Sequence, residues 1–587
     1  MNLRLFCRVS RLAAIGAILL GSASCININE ELGGSLIPTD QKWDVFPQEP
    51  VVLENIEMHM ADSLSGYSTS RFTFGAVNDG SVLGTSSKVT SFTLIPIRDT
   101  LDFGKNTKIK QFHFSAVRDT LSTVYDFEQR ILQNVYVAEL KKPLDSTILY
   151  TSSFSDPAIL NEYVDLSKSI VAGTPVYSGG DSLSFDFNLE FAERFAAQIQ
   201  AAQKAGAADS IHHFVQYVPG IYLYTDAPTG KGGRINMFQI GLDNSDGYVR
   251  GNYAELKFTA EYDYSTEPVD TSFLFFYGPG DWIKLSESGA PESYPTQYAF
   301  NGSFHETTEA YKNGVKATDK IYVEGGSGVK PVVKAEDIKN IIEDLIAAEG
   351  IDDPKEVIIN KATIILPYNV NGDYALLDKY PTILSPTVRL RSTDGKYVTY
   401  AGLTDASISS ENQGEINRSL SMYTPDISHH VQEILKLDRN SEDYSKTIGN
   451  YDIWFLIMAD EVVEDNTYDA SSDAYSNYAY NYYYNSMMYD PYGYGYGGYG
   501  GYGGYGYGGY GGYGGYGGYG YDSYGYNNYY NYAMMASMYS GMGSGSNKEY
   551  STELDKDRYY NATLNGPASD GVKPQLRVTF SAPKSAE

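Results

Sequence analysis

Glu255-Leu-Lys-Phe-Thr-Ala-Glu-Tyr262 (ELKFTAEY) sets the reading of the whole chain. Leu256, Phe258, Ala260 and Tyr262 alternate with Glu255, Lys257, Thr259 and Glu261. Successive side chains on a strand point to opposite faces, so this period of two predicts a strand with one buried face. Similar short runs, rich in β-branched and aromatic residues, recur on both sides. They are Ser70–Phe74, Ser91–Ile97, Lys110–Ser115, Asn134–Leu140, Gly220–Thr225 and Thr271–Phe276 in the first half. Lys320–Val323, Val357–Leu366, Thr387–Leu390, Asp452–Met458 and Gln575–Phe580 follow. Gly, Asn and Asp separate them, as turn chemistry requires.

Helical spacing is confined to a few places. Leu189–Lys204 (LEFAERFAAQIQAAQK) carries apolar residues on one helical face and ends near Gly206. Ala335–Glu349 puts Ile338, Ile341, Ile342, Leu345 and Ile346 on one face and stops at Gly350. A shorter helix is expected over Ile427–Leu435, with Asp426 as its N-cap. Many strands with few helices predict a mainly β protein with two β-sandwich-like units. The expected division is an N-terminal β domain over 49–265, a connecting region with a helix over 266–350, and a C-terminal β domain over 351–467 and 546–583.

Between the two parts of that last domain, residues 468–545 are low in complexity. Tyr492 to Tyr521 repeats GYG and GGY units almost without interruption, with Asn, Ser and Met on the flanks. The segment holds a large share of the chain's 55 Tyr and 58 Gly. It has almost no Leu, Ile or Val, so burial cannot offset the entropy of ordering it. The expectation is a long disordered loop insertion, which a loop tip tolerates because closure entropy grows slowly with length. Tyrosine rings offer aromatic faces and hydroxyls for contact at low side-chain entropy cost.

The start of the chain reads as an export signal. Arg4, Arg8 and Arg11 precede the apolar run Leu12–Leu20, and Gly21, Ser22, Ala23 and Ser24 lead to Cys25. The run is too short to span a bilayer, which needs roughly 20 residues. Small residues before a cysteine predict a lipoprotein signal peptide over 1–24, with Cys25 carrying the acyl chains. Ser22 stands where the usual lipobox has Leu. Two or more acyl chains anchor stably, since each buried CH₂ contributes about 0.8 kcal/mol. The chain has two cysteines, Cys7 and Cys25. Cys7 leaves with the signal peptide, so the mature protein keeps no thiol for a disulfide, a nucleophile or a metal. Residues 25–48 read as a tether. Glu30 and Glu31 resemble the acidic signal that sends Bacteroidota lipoproteins to the outside of the outer membrane.

An ordered set of further segments resembles a known family. Asp62-Ser-Leu is followed by Phe74-Gly-Ala-Val-Asn-Asp-Gly, Gly84-Thr-Ser-Ser-Lys and Asp119-Thr-Leu. Asn134-Val-Tyr-Val-Ala-Glu-Leu, Pro143-Leu-Asp, Tyr150, Phe214–Tyr224, Gly232-Gly233 and Ile235 come next. Ile359-Asn-Lys-Ala-Thr-Ile-Ile-Leu-Pro, Asn561–Gly566 and Pro574-Gln-Leu-Arg-Val-Thr-Phe close the set. Together they resemble the Bacteroidota lipoprotein family catalogued as domain of unknown function 4270, over about residues 50 to 582. The resemblance implies a β-rich surface lipoprotein and assigns no reaction.

Chemistry-bearing motifs are few. The net charge of −29 lacks the basic footprint that nucleic acid requires and keeps an exported protein soluble. Of seven histidines, His212–His213 and His429–His430 are adjacent pairs. Neighbours diverge on a helix and oppose on a strand, so neither pair chelates one metal easily. Asp243-Asn-Ser-Asp246-Gly departs from calcium-loop spacing and reads as an acidic turn. The acidic stretch Asp460–Asp473 reads as solvated, and Gly325-Gly-Ser-Gly, before Val329-Lys330, reads as a turn. No G-x-S-x-G, H-E-x-x-H or P-loop occurs. No metal, cofactor or catalytic residue is expected. Asp followed by Ser or Thr and then an aliphatic residue or Thr resembles the O-glycosylation acceptor of exported Bacteroidota proteins. It marks Ser63, Thr100, Thr120, Ser146, Ser182 and Ser210 as acceptors, although Asp-Ser and Asp-Thr are also favoured in turns.

The expectation is therefore a non-enzymatic protein, lipid-anchored in the outer membrane and exposed at the cell surface. It would bind or adhere to glycans or envelope partners. Two alternatives stay open: a structural accessory subunit of an outer-membrane complex, and a glycan hydrolase whose paired carboxylates the sequence does not reveal.

Overall fold

Alternation along Tyr253–Glu261 buries Ala254, Leu256, Phe258 and Ala260, and the strand pairs antiparallel with Lys105–Val117 on one side and Val269–Gly278 on the other. In this computed structural model the described residues are 43–67, 71–96, 101–119, 131–144, 150–207, 214–239, 242–243, 250–251, 253–278, 300–391, 398–407, 412–464 and 548–583. The protein is mainly β, with several antiparallel sheets. The segment 468–545, expected to be disordered, lies outside the described residues, as do residues 1–42.

The first unit is built on an eleven-stranded sheet. Its main path runs Ser182–Asp186, Lys105–Val117, Tyr253–Glu261, Val269–Gly278, Thr85–Pro96, Ile221–Tyr224, Tyr136–Leu140, Val164–Asp165. Strand Thr85–Pro96 is its branch point. It pairs with Arg71–Asn78 and Phe300–His305 near its start, and with Ile221–Tyr224 and Val269–Gly278 further along. Its core is dominated by phenylalanine: Phe72, Phe74, Phe92, Phe112, Phe114, Phe238 and Phe275 are fully buried. Helix Leu189–Lys204 covers this core with Phe191 and Phe195, whose rings lie 6.1 and 4.9 Å from that of Phe112. Asn188 caps the helix, its Oδ1 accepting from the Phe191 N–H at 2.8 Å.

In the second unit a seven-stranded sheet runs Val315–Lys316, Ile56–Met60, Val329–Val333, Ile453–Glu464, Ile383–Arg391, Val398–Gly402, with Lys548–Leu554 also on Ile453–Glu464. A six-stranded sheet runs Trp43–Pro47, Gln575–Pro583, Ile358–Pro367, Met422–Tyr423, Ile416–Asn417, with Val51–Val52 on Gln575–Pro583. Ile364, Val578, Phe580, Ile453, Phe455 and Ile457 share one core with Ile338, Ile342 and Ile346 of helix Ala335–Ala348.

Pairing redistributes the ranges drawn from the sequence. Strands Trp43–Pro47, Val51–Val52 and Ile56–Met60 precede the first unit in the chain yet belong to the sheets of the second. The stretch 266–350 contributes Val269–Gly278 and Phe300–His305 to the first unit. It also gives Val329–Val333 and helix Ala335–Ala348 to the second. Alternation shows that a strand exists and which face it buries; its partner is set by contacts far away in sequence.

The third helix, Ser428–Lys436, has a different cap from the one expected. Ile427 occupies the N-cap position, and Asp426 accepts from the Ser428 N–H at 2.9 Å. The next two N–H groups, of His429 and His430, go to the carboxylate of Asp405 at 2.7 and 3.0 Å. A cap from a separate segment satisfies donors that the local sequence leaves open.

Candidate functional site

Between the two units lies a cluster of buried polar and charged side chains. Strand register starts it. Ser86, Lys88 and Thr90 stand opposite His305, Ser303 and Asn301 on the paired strand. Residues two apart share a face, so both sets can present their side chains toward one side. The second unit covers that side with two connections. One is the turn Gly325–Gly328, between strands Lys320–Glu324 and Val329–Val333; the other is the segment Asp555–Arg558. Lys88, Asn301, Ser303, His305, Glu324, Lys330, Asp555 and Asp557 are all buried.

His305 is the hub. Its Nε2 lies 2.9 Å from Ser303 Oγ, and its Nδ1 lies 3.1 Å from Ser86 Oγ and 3.3 Å from Glu324 Oε1. Glu324 Oε2 accepts from the Val329 N–H and from the Thr307 hydroxyl, both at 3.2 Å. Burial alone would raise the Glu324 carboxyl, but His305, the Val329 N–H and Lys330 together hold it below its ordinary value. Lys88 Nζ donates to Ser303 Oγ at 3.0 Å and to the Lys556 carbonyl at 2.7 Å. Lys330 Nζ donates to the carbonyls of Glu324, Gly326 and Gly328, the last two at 2.9 and 3.1 Å. Burial pushes Lys330 down to about 7, against the attraction of Glu324, and Lys88 down to about 8. On the carboxylate side, Asn301 Nδ2 donates to Asp557 Oδ1 at 3.1 Å, and burial raises Asp557.

Gly326 explains how the turn comes so close. Its φ of +53° is left-handed, and a Cβ there would sit 2.3 Å from Ser303 Oγ and 2.5 Å from Lys88 Nζ. Three successive members of the cluster, Ser303, His305 and Glu324, follow the order hydroxyl, imidazole, carboxylate that serves nucleophilic hydrolysis. Here the hydroxyl is only 1 % exposed, accepts from Lys88 and is roofed by the turn. No substrate can be seated on it in this arrangement. Buried hydrogen bonds that cross from one unit to the other, Lys88 to the Lys556 carbonyl and Asn301 to Asp557, instead hold the two units together.

The residues singled out by sequence fall elsewhere. Cys25, Thr100, Thr120, Ser146, Ser210 and the pair His212–His213 lie outside the described residues. Ser63 is buried; its Oγ donates to Asp62 at 2.8 Å and accepts from Arg389 at 2.8 Å. Ser182 is exposed and opens strand Ser182–Asp186. His430 is buried against the Tyr451 carbonyl at 2.8 Å, and burial lowers it to about 4. It is thus a neutral core histidine. Asp243 is described and Asp246 is not; Asp460–Glu464 continue strand Ile453–Glu464. Among the described residues no group of three His, Cys, Asp or Glu could hold a metal ion. No described helix is long and apolar enough to cross a membrane.

The Gly325-Gly-Ser-Gly turn is a turn, as read, and its carbonyls cradle an ammonium that the sequence reading did not assign. Two signals could have found the cluster: a lysine inside each of the strands Thr85–Pro96 and Val329–Val333, both otherwise buried over most of their length. A lysine within a buried strand needs fixed partners, because a lone buried charge is costly.

The fold defines a mainly antiparallel β protein of two units stitched by a buried polar network. No protein-family model, no curated protein and no solved structure matches this chain.

Proposed function

We propose that this chain is a lipid-anchored surface protein of the bacterial outer membrane and a non-enzymatic binding or adhesive module for glycans or envelope partners. The family resemblance, to domain of unknown function 4270, is part of the same reading. One observation carries it. The hairpin formed by Ile453–Glu464 and Lys548–Leu554 pairs as far as Glu464 opposite Lys548, so both ends of the Tyr/Gly-rich insertion leave one edge of one sheet side by side. The aromatic, hydroxyl-rich composition of the segment that joins these two strands supports its reading as a contact element. At the other end of the chain, strand Trp43–Pro47 pairs with the closing strand Gln575–Pro583 and leads back through the tether toward Cys25.

Two variants of the whole chain test this. Cys25→Ala should move the protein from the membrane fraction to the soluble fraction; continued membrane association refutes the anchor. Deleting residues 468–545 should abolish capture of glycans or envelope proteins while the unfolding midpoint stays unchanged. Equal capture by the deleted and intact chains refutes the contact role.

A further inference from the structure

One end of the six-stranded sheet is apolar on the face where solvent favours polar residues. Trp43–Pro47 is the outermost strand of that sheet and pairs with Gln575–Pro583. Its inner face is ordinary: the Phe46 ring stacks on that of Phe580 at 5.5 Å, and Phe580, Ala582 and Ile359 belong to the core of the second unit. On the outer face Trp43 stands opposite Pro583, and Val45 stands opposite Ser581, which has Ile358 on its other side. Directly opposed residues share a face, and two strand spacings put Val45 and Ile358 about 10 Å apart. Trp43, Val45 and Ile358 are 44, 60 and 49 % exposed. Between the last two, Ser581 is buried, its hydroxyl donating to Asn360 at 2.7 Å. Further along, the same face turns polar, first with Thr579 and Lys361, then with Arg577 and Thr363. The apolar residues are thus gathered at the end of the sheet from which the chain leads back to Cys25.

Resting on the reading that Cys25 carries a lipid anchor, we propose that this face seats on the membrane that holds the lipid. The Trp43 indole, Val45 and Ile358 then lie at the boundary between headgroups and acyl chains. Seventeen residues, 26–42, separate Cys25 from Trp43. At no more than about 3.3–3.6 Å each, they keep Trp43 within about 60 Å of the anchored cysteine. A surface held that near meets the membrane at the high effective concentration of a linked site, so a small patch suffices where it would fail for a free protein. Tryptophan concentrates at membrane interfaces because its ring is apolar while its N–H takes a partner in the headgroup layer. Val45 and Ile358 add apolar area beside it, and Thr579 and Lys361 mark where the face returns to water. An apolar strand left bare at a sheet edge invites pairing with another chain. Seating on lipid covers its apolar side chains without a protein partner.

The test places the whole acylated chain, its acyl groups verified by intact mass, in phosphatidylcholine vesicles. A matched set of vesicles carries bromine on the acyl chains near the headgroup end, which quenches indoles that reach that depth. The expected result is a loss of emission approaching the share of one tryptophan in three, absent in Trp43→Phe. Ile358→Glu, far from the tether in sequence, should reduce that loss about twofold or more, because interfacial binding scales with buried apolar area. Undiminished quenching in Ile358→Glu overturns the seat, since Trp43 would then reach lipid through the tether alone. No quenching in the native chain, or equal quenching in Trp43→Phe, also overturns it. So does a dimer in detergent that Trp43→Asp dissociates, because a second copy then covers the face. A chain lacking acyl mass refutes the anchor and the seat with it; an acylated chain with unquenched Trp43 refutes the seat alone.

Discussion

Lys330 should make the protein more stable as the solution becomes alkaline. In the unfolded chain a lysine keeps its proton to about 10.4. In the folded chain burial brings Lys330 down to about 7, with Glu324 opposing the fall and Lys88 adding to it. Between these two values the unfolded state binds the extra proton and the folded state does not. Stability therefore rises with pH in that window and is flat below it for this group. The full gap corresponds to about 5 kcal/mol at about 1.4 kcal/mol per pH unit, of which about 3 kcal/mol falls between pH 7 and 9.5. Buried tyrosines such as Tyr222 and Tyr400 are raised, so stability turns down again above pH 10. Guanidinium unfolding across pH 6.5 to 9.5, followed by tryptophan fluorescence, measures the slope; Trp454 in the second unit is a buried reporter. Lys330→Met should reduce the slope, leaving the smaller rise that Lys88, lowered by burial to about 8, contributes. A flat wild-type profile, or two parallel profiles, refutes the reasoning.

Three other perturbations have defined outcomes. Asp405→Ala leaves the His429 and His430 N–H groups without their cap and should cost about 1–2 kcal/mol in denaturant unfolding. Phe112→Ala empties a position whose ring lies 4.7 Å from Phe187 and 4.9 Å from Phe195; about 3–5 kcal/mol should be lost in the same assay. Gly326→Ala adds a Cβ into the space held by Ser303 and Lys88, in a left-handed backbone; a cost of at least about 1–2 kcal/mol should appear as a lowered unfolding midpoint.

Residues 255–262 show how far a sequence pattern reaches in this protein. Period-two alternation identifies the strand and its buried face, and both hold in the structure. Helix Leu189–Lys204 is legible to the residue, because its apolar stripe and its end near Gly206 are local features. The mainly β class follows from the same local signals. The cap of Ser428–Lys436 was not legible, since Asp405 comes from a different segment.

The candidate site lay further out of reach. Lys88, Asn301, Glu324 and Asp557 are spread across almost the whole chain, and no spacing rule joins them. They meet because Thr85–Pro96 pairs with Phe300–His305 and because the second unit lays the Gly325–Gly328 turn and Asp555–Arg558 on that face. The first strands, Trp43–Pro47 to Ile56–Met60, likewise join sheets completed far along the chain. Local periodicity therefore determined what each segment is. Tertiary structure alone decided which segments are neighbours and which charges lose their water, because strand partners and burial are set by contacts between residues remote in sequence.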